Sequence, residues 1–148
     1  MHILVINGPN LNLLGLREPD IYGKQTFQAL EQYILDAAKD LQMTVELFQS
    51  NHEGAIVDRI QAAYGTADGI LINPAAYTHT SVAILDALKA VALPTAEVHL
   101  SDISAREPFR QFSYVSLCAG KTIFGHGFAG YQEGLAWLKN EIGKAGHP

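Results

Sequence analysis

Two stretches of this chain, Ile3-Leu4-Val5-Ile6 and Ile70-Leu71-Ile72, are unbroken runs of large apolar residues, mostly β-branched. A strand with one wet face alternates polar and apolar side chains. A strand with no polar position has to be covered on both faces, which is the situation at the centre of a parallel sheet flanked by helices. Extending these two runs gives candidate strands at 2–7 and 69–73, and further β-rich runs lie at 44–49, 95–99 and roughly 113–118.

Helical periodicity fills the intervals. Phe27, Leu30, Ile34, Ala37 and Leu41 follow a 3-4-3-4 spacing that puts them on one stripe. Ser50-Asn51-His52-Glu53 reads as a capping box opening a second helix, with Ile56, Ile60 and Ala63 inward. A third helix is predicted to open near Thr80, carry Val82, Leu85, Leu88 and Ala92, and stop before Pro94. The last carries Tyr131, Leu135, Leu138 and Ile142. Strands alternating with helices predict an α/β fold: a doubly wound, five-stranded parallel sheet in the flavodoxin-like order 2-1-3-4-5, helices on both faces. In that order ligands bind beyond the carboxyl ends of the strands, near the switch between the first and third. The segments that matter therefore follow Asn7, Asn73 and His99.

The bulk properties narrow the function class. A chain of 148 residues, 48% apolar and 17% charged, is expected to form one domain over 1–148 and is not disordered. No apolar run is long enough to cross a bilayer, and residues 2–6 lack the features of a signal peptide. The single cysteine, Cys118, rules out an internal disulfide and suits the cytoplasm. A net charge of −5 without a basic cluster argues against nucleic acid as a partner.

The loop from Gly8 to Lys24 is far longer than the roughly 2–6 residues usual between strand and helix. Leu11, Leu13, Leu14 and Leu16 suit a flap folded over a site, and Gly15 and Gly23 suit hinges. An irregular loop packing a subunit contact fits the same residues. Glu97 and His99, two apart on the fourth strand, share a face, so the carboxylate can fix the imidazole's tautomer and raise its basicity. Such a pair makes a general acid, a metal ligand or a structural hydrogen bond. The third strand is followed by Asn73-Pro74-Ala75-Ala76-Tyr77-Thr78-His79-Thr80-Ser81, whose hydroxyls and free N–H groups favour an anionic or hydroxylated ligand. Capping explains the threonines and serine equally well, but not His79. Arg106 and Arg110 follow the fourth strand and suit a carboxylate.

Other motifs fail. Gly125-His126-Gly127-Phe128-Ala129-Gly130 has the G-x-G-x-x-G spacing, but it is not in the first strand-to-helix turn and no strand follows its helix. There is no Walker A loop, no nucleophile elbow and no H-E-x-x-H, and the six histidines lack the spacing of a metal site. A flavin- or nucleotide-binding module would need a Ser/Thr/Gly-rich phosphate loop where this chain has Gly8-Pro9-Asn10-Leu11-Asn12. A receiver domain would need an acidic cluster beyond the first strand. A non-catalytic scaffold would leave the strand-end polar groups incidental.

Taken together, NGPNLNLLGLREPDIYG at 7–23, SNHEG at 50–54, INPAAYTHTSVAILDAL at 72–88, EVHLSDISAREPFR at 97–110 and GKTIFGHGFAGY at 120–131 resemble the type II 3-dehydroquinate dehydratases (type II dehydroquinases). The similarity runs through nearly the whole chain. Two positions depart from the family's habit: Asp102 stands where asparagine is typical, and Ala75 where glycine is common.

The resemblance implies dehydration of 3-dehydroquinate to 3-dehydroshikimate in the shikimate pathway, by anti elimination through an enolate, with no metal, Schiff base or other cofactor. It implies Tyr22 as the base for the C2 proton, with Arg17 linked to its activation. It implies His99 as the acid for the departing C1 hydroxyl, Glu97 as its orienter, and Asn10 as the holder of the water that stabilises the enolate oxygen. Asn73, His79, the backbone at Leu100-Ser101 and Arg110 would bind substrate. Asp86 would reach a neighbouring subunit's site in a homododecamer, a tetramer of trimers. The chemistry suits the residues: free tyrosine has a pKa of about 10, and a nearby guanidinium, always charged, favours tyrosinate.

Overall fold

In the computed structural model, which describes residues 1–16 and 25–145, strand β1 (His2–Asn7) sends Ile3 and Val5 to one face and Leu4 and Ile6 to the other. All four are sealed from solvent. The unbroken apolar run is thus a period-2 pattern with both halves apolar, because both faces are covered. One cover is helix α1 (Phe27–Asp40) with α4 (Ala129–Ala145), through Leu30, Ile34, Tyr131, Leu135 and Leu138. The other is α2 (Glu53–Ala62) with α3 (Val82–Val91), through Ile56, Ile60, Ile84 and Leu88.

The remaining strands are β2 (Thr44–Gln49), β3 (Gly69–Asn73), β4 (Thr95–His99) and β5 (Lys121–Phe124). They pair in parallel in the order β2-β1-β3-β4-β5. This is the flavodoxin-like order expected, with the switch point between β1 and β3.

Local chemistry sets the helix starts. Thr26 caps α1, its Oγ1 accepting the Ala29 N–H at 3.0 Å, and Ser81 caps α3, its Oγ accepting the Ile84 N–H at 2.9 Å. Each such cap stabilises a helix by about 1 kcal/mol.

Three expectations need correction. The fifth strand is not 113–118 but Lys121–Phe124. In the earlier segment the Ser113 and Ser116 hydroxyls bond the local backbone, and Val115–Leu117 is a turn of 3-10 helix. Serines that compete for backbone in this way favour turns over ladders. Ser50–Glu53 forms no capping box, because Ser50 Oγ accepts the N–H of His52, which itself stands at the cap position without a side-chain bond. Finally, Val82 is 47% exposed, and Ala92 lies just past α3 in the left-handed region at φ 54° rather than on its inward stripe.

The register aligns the carboxyl ends of three strands, with Asn7 opposite both Gln49 and Asn73. The loops beyond β1 and β3 run in close contact. Gly8 N–H donates to the Asn73 carbonyl at 2.8 Å, and a Cβ at Gly8 would collide with the Pro74 carbonyl. Only glycine fits there.

Candidate active site

On β4, Ala96 and Val98 join the α1/α4 layer, so Thr95, Glu97 and His99 face the opposite side. There the apolar cover gives out. Glu97 is completely buried, and its Oε2 lies 2.5 Å from His99 Nε2. Ser113 Oγ donates to the same oxygen at 2.6 Å and Thr78 Oγ1 approaches it at 3.1 Å, while Thr122 Oγ1 donates to Oε1 at 3.3 Å. Burial pushes the Glu97 carboxyl up, but the hydrogen bond and charge of His99, with the hydrogen bond of Ser113, outweigh it and hold the group below the ordinary carboxylate value. An ionised Glu97 accepts the Nε2 proton of His99. That leaves Nδ1 as the nitrogen open to a ligand.

His99 opens into a cavity of about 200 Å³ beyond the strand ends. Its walls come from three loops: Pro9, Asn10 and Leu11 after β1, then Asn73, Ala75, Ala76 and His79 after β3. The third wall is Leu100, Ser101, Ile103, Arg106 and Arg110 after β4. The space suits a small polar molecule rather than a dinucleotide or flavin.

Among the described residues, the sequence-derived ones converge there, Glu97 through its bond to His99, with Asp86 as the exception. Asn10 sits in the left-handed region at φ 69°, its N–H held by Asn51 Oδ1 at 3.0 Å. Asn73 has a fixed amide: Oδ1 accepts the Ala75 N–H at 3.1 Å, and Nδ2 donates to the buried Tyr131 hydroxyl at 2.9 Å. Tyr131 in turn donates to Asn7 Oδ1 at 2.6 Å. Burial pushes its hydroxyl above the ordinary tyrosine range, against the pull of the Asn73 bond, so Tyr131 is a locked neutral donor and not a base. His79 Nδ1 lies 2.8 Å from the Phe112 carbonyl, which can only accept, so Nδ1 carries a proton, and in the neutral ring Nε2 is the acceptor. Arg110 lines the cavity with its Nε donating to Glu107 Oε2 at 2.5 Å, and Arg106 Nη1 donates to Ser101 Oγ at 3.3 Å. Asp86 is exposed on α3 and does not line the cavity. Arg17 and Tyr22 lie outside the described residues, as does the 17–24 part of the expected flap. Of its leucines, Leu11 lines the cavity, Leu14 is anchored in the core, and Leu13 and Leu16 are exposed.

Sequence reasoning missed the hydroxyls around Glu97. Thr78 carried a signal, being next to His79. Ser113 and Thr122 carried none, since the first fell in a misassigned strand and the second in an unassigned one. It also missed Gln49 and Asn51, which brace the first loop. Gln49 Nε2 donates to the Gly8 carbonyl at 3.1 Å and to Asn51 Oδ1 at 3.2 Å.

The fold and site define an α/β enzyme of flavodoxin-like topology with a buried carboxylate–imidazole pair at its strand ends. The sequence matches the profile of the family described as dehydroquinase class II over residues 1–139. It is 54% identical over 144 residues to the 3-dehydroquinate dehydratase of Geotalea daltonii, covering 97% of this chain and all of the relative. It is 60% identical over 130 residues to catabolic 3-dehydroquinase 1 of Aspergillus terreus, covering 88% of this chain and 86% of the relative. Its structure superposes on the type II dehydroquinase of Butyrivibrio crossotus with a TM-score of 0.91 at 48% identity, over 94% of this chain and 97% of that one. The chain belongs to the type II dehydroquinase family.

Proposed function

We propose that this protein dehydrates 3-dehydroquinate to 3-dehydroshikimate by anti elimination, with residues 1–148 as one catalytic domain and the loop of about 8–24 as its lid. The observation that carries this reading is the Glu97–His99 pair, with His99 opening into the cavity and Glu97 holding its other nitrogen.

In the first step Tyr22, kept as tyrosinate by Arg17, takes the proton from C2, and its electron pair moves into the C3 carbonyl to form an enolate. A water held by Asn10 stabilises the enolate oxygen. In the second step the enolate collapses, the C1–O bond breaks, and the departing hydroxyl takes a proton from His99 to leave as water. Glu97 compensates the imidazolium before the transfer and keeps Nε2 protonated after it. Asn73 and His79 contact substrate hydroxyls, and Arg110 with the Leu100-Ser101 backbone contacts the carboxylate. The fixed tautomer of His79 and the fixed amide of Asn73 support binding roles, because each presents one defined hydrogen-bonding face. The lid brings the base to the acid and excludes water as it closes. Every step uses side chains of the protein and no cofactor.

The exposed position of Asp86 supports its contribution to a neighbouring subunit's site in a dodecamer built as a tetramer of trimers. Cytoplasmic work in the shikimate pathway fits a chain in which no described helix is long and apolar enough to cross a membrane. The test is direct assay with 3-dehydroquinate, following absorbance of the conjugated enone product. Enone should appear with the wild-type protein and nearly vanish in Tyr22→Phe, whose circular dichroism stays native. Near-normal turnover in that variant contradicts the base assignment.

A further inference from the structure

The mechanism uses Glu97 only as the partner of His99, yet the carboxylate is held from the other side as well. Ser113 Oγ lies 2.6 Å from Glu97 Oε2, the same oxygen that faces His99. The proton count around Ser113 shows which way its hydroxyl points. Its oxygen accepts the Ser116 N–H at 3.2 Å and lies 2.7 Å from Thr78 Oγ1. A hydroxyl donates once and accepts twice. If Ser113 gave its proton to Thr78, the 2.6 Å approach to Glu97 would set two oxygens together with no proton between them. With Thr78 and Ser116 donating inward, the Ser113 proton goes to Glu97, and the contact left without a proton is the longest one, Thr78 Oγ1 at 3.1 Å from Glu97 Oε2.

We infer that Ser113 is a positioning residue for the acid: it clamps Glu97 Oε2 opposite His99, fixing the carboxylate that orients the imidazole. The clamp is built in before substrate arrives. Tyr114 N–H donates to the Thr78 carbonyl at 2.7 Å, pinning the Ser113 segment against the turn that also carries His79. Ser113 itself is 5% exposed and is absent from the cavity wall, so it acts through Glu97 and not on substrate. It also favours the proton's departure. When His99 has given up its Nδ1 proton, ionised Glu97 has to hold the remaining Nε2–H alone, and the Ser113 donor stabilises that carboxylate.

The inference rests on the acid role of His99, and a double-mutant cycle separates the two. Ser113→Ala in the otherwise wild-type enzyme should lower kcat about tenfold, with KM within about threefold, because the hydrogen bond lost is to a charged group and acts on the proton-transfer step. In a His99→Ala background the same change should cost nothing further. Thermal melts of all variants establish that each is folded. Equal losses in both backgrounds would assign Ser113 a purely structural role and overturn the inference. So would wild-type kcat in Ser113→Ala alongside a crippled His99→Ala enzyme. Wild-type kcat in His99→Ala itself would overturn the acid assignment and this inference with it.

Discussion

Ala75 shows how a single side chain can sit at odds with the backbone it occupies. The resemblance marks it as a position where glycine is common, and the structure supplies the reason: φ is +53°, in the left-handed region. That conformation lets the Ala75 N–H turn back onto Asn73 Oδ1 and fix the amide that faces the cavity. An L side chain there costs roughly 1–2 kcal/mol, part of which glycine returns through its freer unfolded chain. Ala75→Gly should therefore raise stability by about 0.5–1 kcal/mol, read as an increased urea midpoint at unchanged slope. A lowered midpoint would show that the alanine methyl is packed rather than strained. Asp102, the other departure, needs no compensation. Its Oδ1 accepts the Ser104 N–H at 2.9 Å, which an asparagine oxygen would do equally well.

Among the helices, α4 does more than cover the sheet. Tyr131, on its first turn, reaches the ends of both β1 and β3 and ties Asn7 to Asn73 through one buried hydroxyl. Tyr131→Phe keeps the apolar packing but leaves an amide oxygen and an amide N–H short of partners. A stability loss of about 1–3 kcal/mol is expected from chemical denaturation, with KM rising more than kcat falls because the Asn73 amide is no longer fixed. Unchanged stability would mean that water or another group replaces the hydroxyl at no cost. The elements themselves were largely legible in the sequence, because β1 and β3 announce themselves by unbroken apolar runs and α1 and α4 by their stripes. The fifth strand was not. Lys121-Thr122-Ile123-Phe124 is a short edge strand with a single buried residue, Ile123, and its pattern is weaker than that of the aromatic and apolar turn before it.

The site as an assembly was readable where its residues sit at strand ends, because the topology brings Asn73, Glu97 and His99 together from periodicity alone. The residues around Glu97 were not, since they converge from three separate segments and only packing brings them to one carboxylate. That convergence has a consequence for the protein as a whole. Glu97 is held below its ordinary value of 4.5, so it binds a proton more weakly folded than unfolded. Its contribution to stability is fully present above that ordinary value and is lost as pH falls through the lowered folded value. The stability difference between wild type and Glu97→Gln, measured by urea unfolding, should therefore shrink as pH drops below 4.5. A difference independent of pH would mean that folding leaves the proton affinity of the Glu97 carboxyl unchanged, and one that grows as pH falls would mean that folding raises it.

The central claim is that His99 delivers the proton that lets the C1 hydroxyl leave. Steady-state kinetics of His99→Ala with 3-dehydroquinate, followed by enone absorbance, test it most directly. Loss of a general acid should lower kcat by about 100- to 10,000-fold, with KM changed only a few-fold. A variant with wild-type kcat and an altered KM would place His99 in substrate binding and contradict the account.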